Sequence, residues 1–223
     1  MDPLEWTAAG ISALAVWLTT RRNPWCWSLG LVSVMLYAVV FYGARLYNDA
    51  LLQLVYAVLE GYGWWCWRRA RQAGVVPPAG MSADMNADMS ADTALVAAPD
   101  ARPPVQVPAA RDILLPLLLG ALGAAAMGAL TATYTDAAIP WLDATLSAFS
   151  LVAQYWMARL YRVNWLLWML LDAVYVGVYV VRDLPVTAVL YTGFLLLAAL
   201  GWWHWRPTMA PGSSGERHRK NGQ

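Results

Sequence analysis

Gly63-Trp64-Trp65-Cys66-Trp67-Arg68 returns as Gly201-Trp202-Trp203-His204-Trp205-Arg206, displaced by 138 residues. Five of the six positions are identical. At the same displacement, and without a gap, Trp27 meets Trp165 and Tyr37 meets Tyr175. Further back, Arg21 meets Arg159, Ser12 meets Ser150, and Thr7 meets Thr145. The register holds from the first apolar segment to the end of the third. The chain therefore reads as two copies of one three-segment unit, and that reading decides the fold.

Working outward, seven apolar segments emerge: about Leu4–Thr20, Trp25–Tyr42, Leu46–Trp67, Ile113–Leu130, Ile139–Met157, Trp165–Val181 and Val186–Trp205. Each is near the ~20 residues that cross ~30 Å of hydrocarbon. Composition agrees: 60% of the 223 residues are hydrophobic and only 13% charged, against about 25% charged in an average soluble domain. Fourteen Trp suit membrane interfaces and flat apolar binding walls. The expected class is an all-α membrane protein of seven transmembrane helices in a 3+1+3 parallel repeat. Residues 1–71 form the first repeat, 72–111 a flexible linker, 112–134 a linking helix, 135–206 the second repeat and 207–223 a disordered polar tail.

The linker carries Met81-Ser-Ala-Asp, Met85-Asn-Ala-Asp and Met89-Ser-Ala-Asp in tandem, flanked by prolines. Aspartates at i, i+4 and i+8 would repel on one helix face, so a loop is expected. Cys26 and Cys66 lie in apolar stretches and read as small fillers, not a disulfide. His204 and His218 are isolated, so no metal is expected, and no cofactor or nucleic-acid partner. Met1–Thr20 lacks the basic start of a signal peptide.

Thirteen of the fifteen basic residues fall on one side: Arg21, Arg22, Arg68, Arg69, Arg71, Arg102, Arg111, Arg159, Arg162, Arg206, Arg217, Arg219 and Lys220. Arg45 and Arg182 fall on the other. The positive-inside rule then places the C-terminus in the cytoplasm and the N-terminus outside. Three spans reverse the chain, and the linking span restores its direction, so the halves are parallel copies. A solute path between such halves is the natural reading. A duplicated structural or assembly protein without transport is the competing one.

An ionisable side chain in hydrocarbon costs on the order of 3 kcal/mol and marks function by default. Asp172 lies roughly 10 Å deep in the sixth segment at 1.5 Å per residue. Trp165, Trp168 and Asp172, spaced i, i+3, i+7, share one helix face. Two indoles and a carboxylate form a clamp for a flat cationic ring; anchoring indoles and an interhelical Asp172 are the plainer account. Gln53 and Tyr56 share a face one turn apart, and either bond a solute or a neighbouring helix. Tyr191 and Phe194 match them in the second half and are expected to line the same space. Glu60, near the cytoplasmic end of the third segment, either snorkels, pairs with Arg68 or Arg69, or serves transport. Gln154 reads as interhelical glue, and Asn48 and Asp49 as a solvated span start. With no phosphate-cradling loop and no nucleophile–base pair, an enzyme is not expected.

Trp165-x-x-Trp168-x-x-x-Asp172 resembles the WxxWxxx(N/D) signature of the PnuC family of vitamin transporters. Asn23-Pro24-Trp25, Gln53-x-x-Tyr56 and the Gly-Trp-x-x-Trp ends of the third and seventh segments are similar to that family too. The likeness spans the chain apart from 72–110 and the tail. It implies a SWEET-like protomer and homotrimers in the bacterial inner membrane. It further implies facilitated-diffusion uptake of nicotinamide riboside, an NAD precursor, trapped by cytosolic phosphorylation, with Trp165, Trp168 and Asp172 as substrate contacts. Asp172 stands where well-known riboside carriers have Asn, which keeps thiamine and other vitamins open as substrates. A sugar carrier of the same architecture is a further alternative. The halves are expected to differ: Val34 matches Asp172, and Tyr191 matches Gln53, so the charge of the site is expected from the sixth segment alone.

Overall fold

The computed structural model describes residues 3–43, 47–73, 102–134 and 139–206. These form seven helices: α1 (Pro3–Thr20), α2 (Trp25–Gly43), α3 (Tyr47–Ala73), α4 (Ala110–Tyr134), α5 (Pro140–Ala158), α6 (Asn164–Val181) and α7 (Pro185–His204). Apolar residues make up most of each helix, interrupted inside α3, α5 and α6 by Gln53, Glu60, Gln154 and Asp172. Pro140 and Pro185 start α5 and α7 at the first turn, where the missing N–H has no partner to lose. Among the described residues, α2, α4, α6 and α7 are long and apolar enough to cross a membrane, and Trp6–Thr20 is a shorter apolar helix. α3 and α5 are less apolar because they carry Gln53, Glu60, Ser150 and Gln154 toward the interior. Leu114, Leu118, Leu122, Val58 and Val189 are exposed on the outside. Such an apolar exterior belongs in lipid, and the chain is a multi-pass membrane protein.

Six helices close into a ring: α1 packs on α2, α2 on α3, α3 on α5, α5 on α6, α6 on α7, and α7 on α1. α4 packs outside the ring, against α5. Gly120, Ala124 and Gly128 form its buried stripe. A Cβ at Gly120 would lie 2.8 Å from Val152, and one at Gly128 would lie 2.5 Å from Trp141. Small residues four apart let the two backbones close on each other, which is how helices associate without a hydrophobic drive.

Residues 138 apart make matching contacts. Both interhelical turns hold a non-glycine residue in the left-handed region, Arg22 at φ 55° and Leu160 at φ 60°. Asn23 N–H donates to Leu18 O at 3.0 Å, and Tyr161 N–H donates to Trp156 O at 2.9 Å. The Trp27 and Trp67 rings meet edge-on at 5.3 Å, and Trp165 and Trp205 at 5.4 Å. The two ends then cross. Trp67 Nε1–H donates to Met157 O and Trp205 Nε1–H to Thr19 O, both at 3.2 Å. Each half thus places its last buried indole on the first helix of the other half.

Two boundaries differ from the sequence reading. α3 continues through Arg68, Arg69 and Arg71 to Ala73, because these long side chains are good helix formers and face outward. The segment expected to be flexible through 111 is bound from 102 onward. Pro103 is fully buried and Val105 packs on the tryptophan cluster. Arg22 Nη1 donates to Pro103 O at 3.1 Å, and Gln106 N–H donates to Leu160 O at 3.0 Å. This strap therefore touches both turns at matched positions 22 and 160. Burial, then the charge of Arg102, pushes the Arg22 guanidinium below the usual arginine range. Cys26 and Cys66 are free thiols. The methionine–aspartate repeat and the tail lie outside the described residues.

Candidate functional site

The ring encloses a cavity of about 690 Å³, lined by residues of α1, α2, α3, α5, α6 and α7. That volume is in the range that takes a small organic ligand. All six residues singled out from sequence, Trp165, Trp168, Asp172, Gln53, Tyr56 and Tyr191, lie on its wall, as does Phe194. The i, i+3, i+7 face of α6 turns inward. Asp172 is 5% exposed, and its carboxyl has no hydrogen-bond partner among the described residues. Gln53 likewise has none there. Tyr56 shares a hydrogen bond with Ser150 across the α3–α5 seam, so its hydroxyl is already committed to a helix contact.

Trp165 differs from Trp168. It is 1% exposed, lies flat on Gly201, where a Cβ would be 2.4 Å from its ring, and meets Trp205 on another side. It builds the floor of the cavity more than a free stacking face. Trp168 is only partly buried and is the more open indole. Trp27, the match of Trp165, lies on Gly63 in the same way and also lines the cavity. The indole N–H groups of Trp27, Trp165 and Trp168 lack partners among the described residues. An unmet buried donor costs about 1–3 kcal/mol.

The charge of the site does not come from α6 alone. Glu60 is 8% exposed and lines the cavity. It neither snorkels nor pairs with Arg68 or Arg69; Gln154 Nε2 donates to its Oε1 at 3.0 Å. Gln154 is interhelical glue, as expected, and Glu60 is what it holds. Position along the span had pointed Glu60 toward the headgroups, but its rotation around α3 faces it inward. At the far end of the cavity, Tyr175, Tyr179 and Tyr191 cluster, with Tyr175 and Tyr191 centroids 4.7 Å apart. Tyr37 and Phe41 stack at 5.8 Å at the matched positions of the first half. Trp27, Tyr37 and Tyr175 line the cavity as well, although none of the three is among the site residues expected from sequence. The repeat itself was the signal: Trp27, Val34, Tyr37 and Phe41 line the cavity, as do their matches Trp165, Asp172, Tyr175 and Tyr179.

Arginines gather beyond the tryptophan floor. Arg162 stacks over Trp202 at 3.5 Å and Arg206 over Trp203 at 3.6 Å. Among the described residues no cluster of metal-ligating side chains occurs, and no lysine, arginine or histidine lines the cavity.

Residues 2–207 match the family described as Nicotinamide mononucleotide transporter. The chain is 22% identical over 201 residues to the nicotinamide riboside transporter PnuC of Escherichia coli (strain K12), covering 89% of this chain and 82% of that protein. The PnuC protein of Shigella flexneri matches to the same extent. The crystal structure of the vitamin B3 transporter PnuC superposes with a TM-score of 0.61 at 23% identity, over 92% of this chain and 82% of that one. At that identity the superposition speaks to fold.

Proposed function

The chain belongs to the nicotinamide mononucleotide transporter family, and from that premise we propose that it takes up nicotinamide riboside across the bacterial inner membrane. Uptake is facilitated diffusion through the ring, and cytosolic phosphorylation retains the product. The protomer has seven spans in a 3+1+3 parallel, SWEET-like arrangement and assembles as a homotrimer, as the family resemblance implies. The basic side faces the cytoplasm, with the N-terminus outside.

The observation that carries the reading is the lining. Aromatic walls and two carboxyls suit a flat cationic ring. The absence of any basic residue among the described lining residues disfavours a phosphorylated ligand, because a phosphate stripped of water would find no cation there. This supports the riboside over the mononucleotide. Asp172 holds the ring charge, with Trp168 beside it and Trp165 beneath. Gln53 and Tyr191 complete the substrate contacts, and Tyr56, whose hydroxyl is held by Ser150, contributes its ring.

Thiamine is the second reading. A second carboxyl at Glu60 favours it, since thiamine also pairs a cationic ring with an amino group. Uptake of labelled riboside and thiamine into proteoliposomes separates the two. Asp172→Ala is expected to cut uptake of the true substrate by roughly 10–100-fold, in line with loss of a partly desolvated ion pair. Wild-type protein that carries neither compound overturns the proposal.

A further inference from the structure

Two seams join the halves, α3 against α5 and α7 against α1, and the 138-residue displacement maps one onto the other. The first seam is polar. Tyr56 bonds Ser150, and one turn further Gln154 bonds Glu60. The matched positions of the second seam are Phe194 and Ser12, and Ala198 and Val16. Ser12 bonds Ser33 within its own half, so the second seam closes without a side-chain bond at these positions, and helix packing does not account for the polar one.

Gly30 of α2 makes room for the carboxyl. A Cβ there would lie 2.5–2.7 Å from both oxygens and the carboxyl carbon of Glu60. Gln154 meets Oε1, and Oε2 has no partner among the described residues. A buried carboxyl with one donor is under-satisfied. Asp172 sits on α6, which does not touch α3 in the ring. The two carboxyls therefore reach the cavity from non-adjacent walls.

We infer that Glu60 is a second recognition point and a determinant of specificity: it accepts an N–H from an amide or amino group on a cationic-ring ligand, and it turns away ligands with a carboxylate at that place. The inference rests on the transport reading above and names the selectivity of the same cavity. Asp172 meets the ring charge, and Glu60 reads the substituent.

The test is competitive uptake of nicotinamide riboside, nicotinic acid riboside and thiamine in proteoliposomes. Wild-type protein is expected to prefer the amide to the acid by roughly 100-fold, since a like-charge contact in a dry site is strongly disfavoured. Glu60→Gln keeps a hydrogen bond to Gln154 and so preserves the seam. It is expected to shrink that preference by at least about tenfold, mainly by admitting the acid. Gly30→Ala, which displaces the carboxyl without neutralising it, is expected to shrink it partly. Asp172→Asn raises KM for both pyridinium ligands and leaves their ratio alone. An unchanged ratio in Glu60→Gln, with amide uptake intact, overturns the inference and spares the transport reading. If wild-type protein carries neither the amide nor thiamine, the transport reading fails and this inference falls with it.

Discussion

Replacing Trp67 and, separately, Trp205 with phenylalanine tests the matched architecture directly. Each indole is 0% exposed and donates to a carbonyl in the opposite half, Met157 O or Thr19 O. Phenylalanine keeps an edge-on ring for Trp27 or Trp165 and removes the N–H. The lost hydrogen bond costs about 0.5–1.5 kcal/mol. The smaller ring leaves a void worth roughly another 1 kcal/mol. Each variant should therefore lose about 2 kcal/mol. For a domain of this size that lowers the melting temperature by about 4–8 °C. The readout is reaction of Cys26, buried beside Trp27, with a thiol-reactive dye during heating in detergent, in a Cys66→Ala background. Exposed Trp65 and Trp203 at the neighbouring matched positions serve as controls, and their phenylalanine variants should shift little. If Trp67→Phe and Trp205→Phe differ by more than about 1 kcal/mol, the two ends are not energetic equivalents and the argument from matched hydrogen bonds is wrong.

Gly201→Ala puts a methyl group into the Trp165 ring, which Trp205 holds on another side. A loss of about 1–3 kcal/mol is expected from overpacking, with reduced riboside uptake; wild-type melting and wild-type KM together would show that Trp165 has slack. Asp183 is exposed and sits at φ 56° in the turn before α7. Asp183→Gly should raise stability by up to about 1 kcal/mol by removing the left-handed penalty, and a lower melting temperature in the same assay would contradict this.

The repeat was legible because both of its ends carry tryptophan, which is rare enough for a matched block to stand out. The inward face of α6 was legible because Trp165, Trp168 and Asp172 obey a single helical period. Glu60 was not. Its depth in α3 pointed toward the headgroups, but Gly30 and Gln154, which seat it inward, lie on two other helices and belong to no local pattern. The strap at 102–109 was hidden for a similar reason. Its prolines match a free linker in composition, and only the complementary turns at Arg22 and Leu160 reveal that it is docked.

The exchange at Gly30 and Glu60 also bears on how a duplicated protein acquires a lopsided ligand. At the corresponding places α6 has Trp168 and α7 has Ala198, so each copy holds one bulky and one small residue, in opposite order. The bulky residue stands on the third helix in one copy and on the sixth in the other, within matching frames. Substrate preference in such a duplicated frame is then edited in pairs. Grafting an indole into the first copy calls for Gly30→Trp together with Glu60→Ala, and either change alone should leave the chain with a clash or a hole.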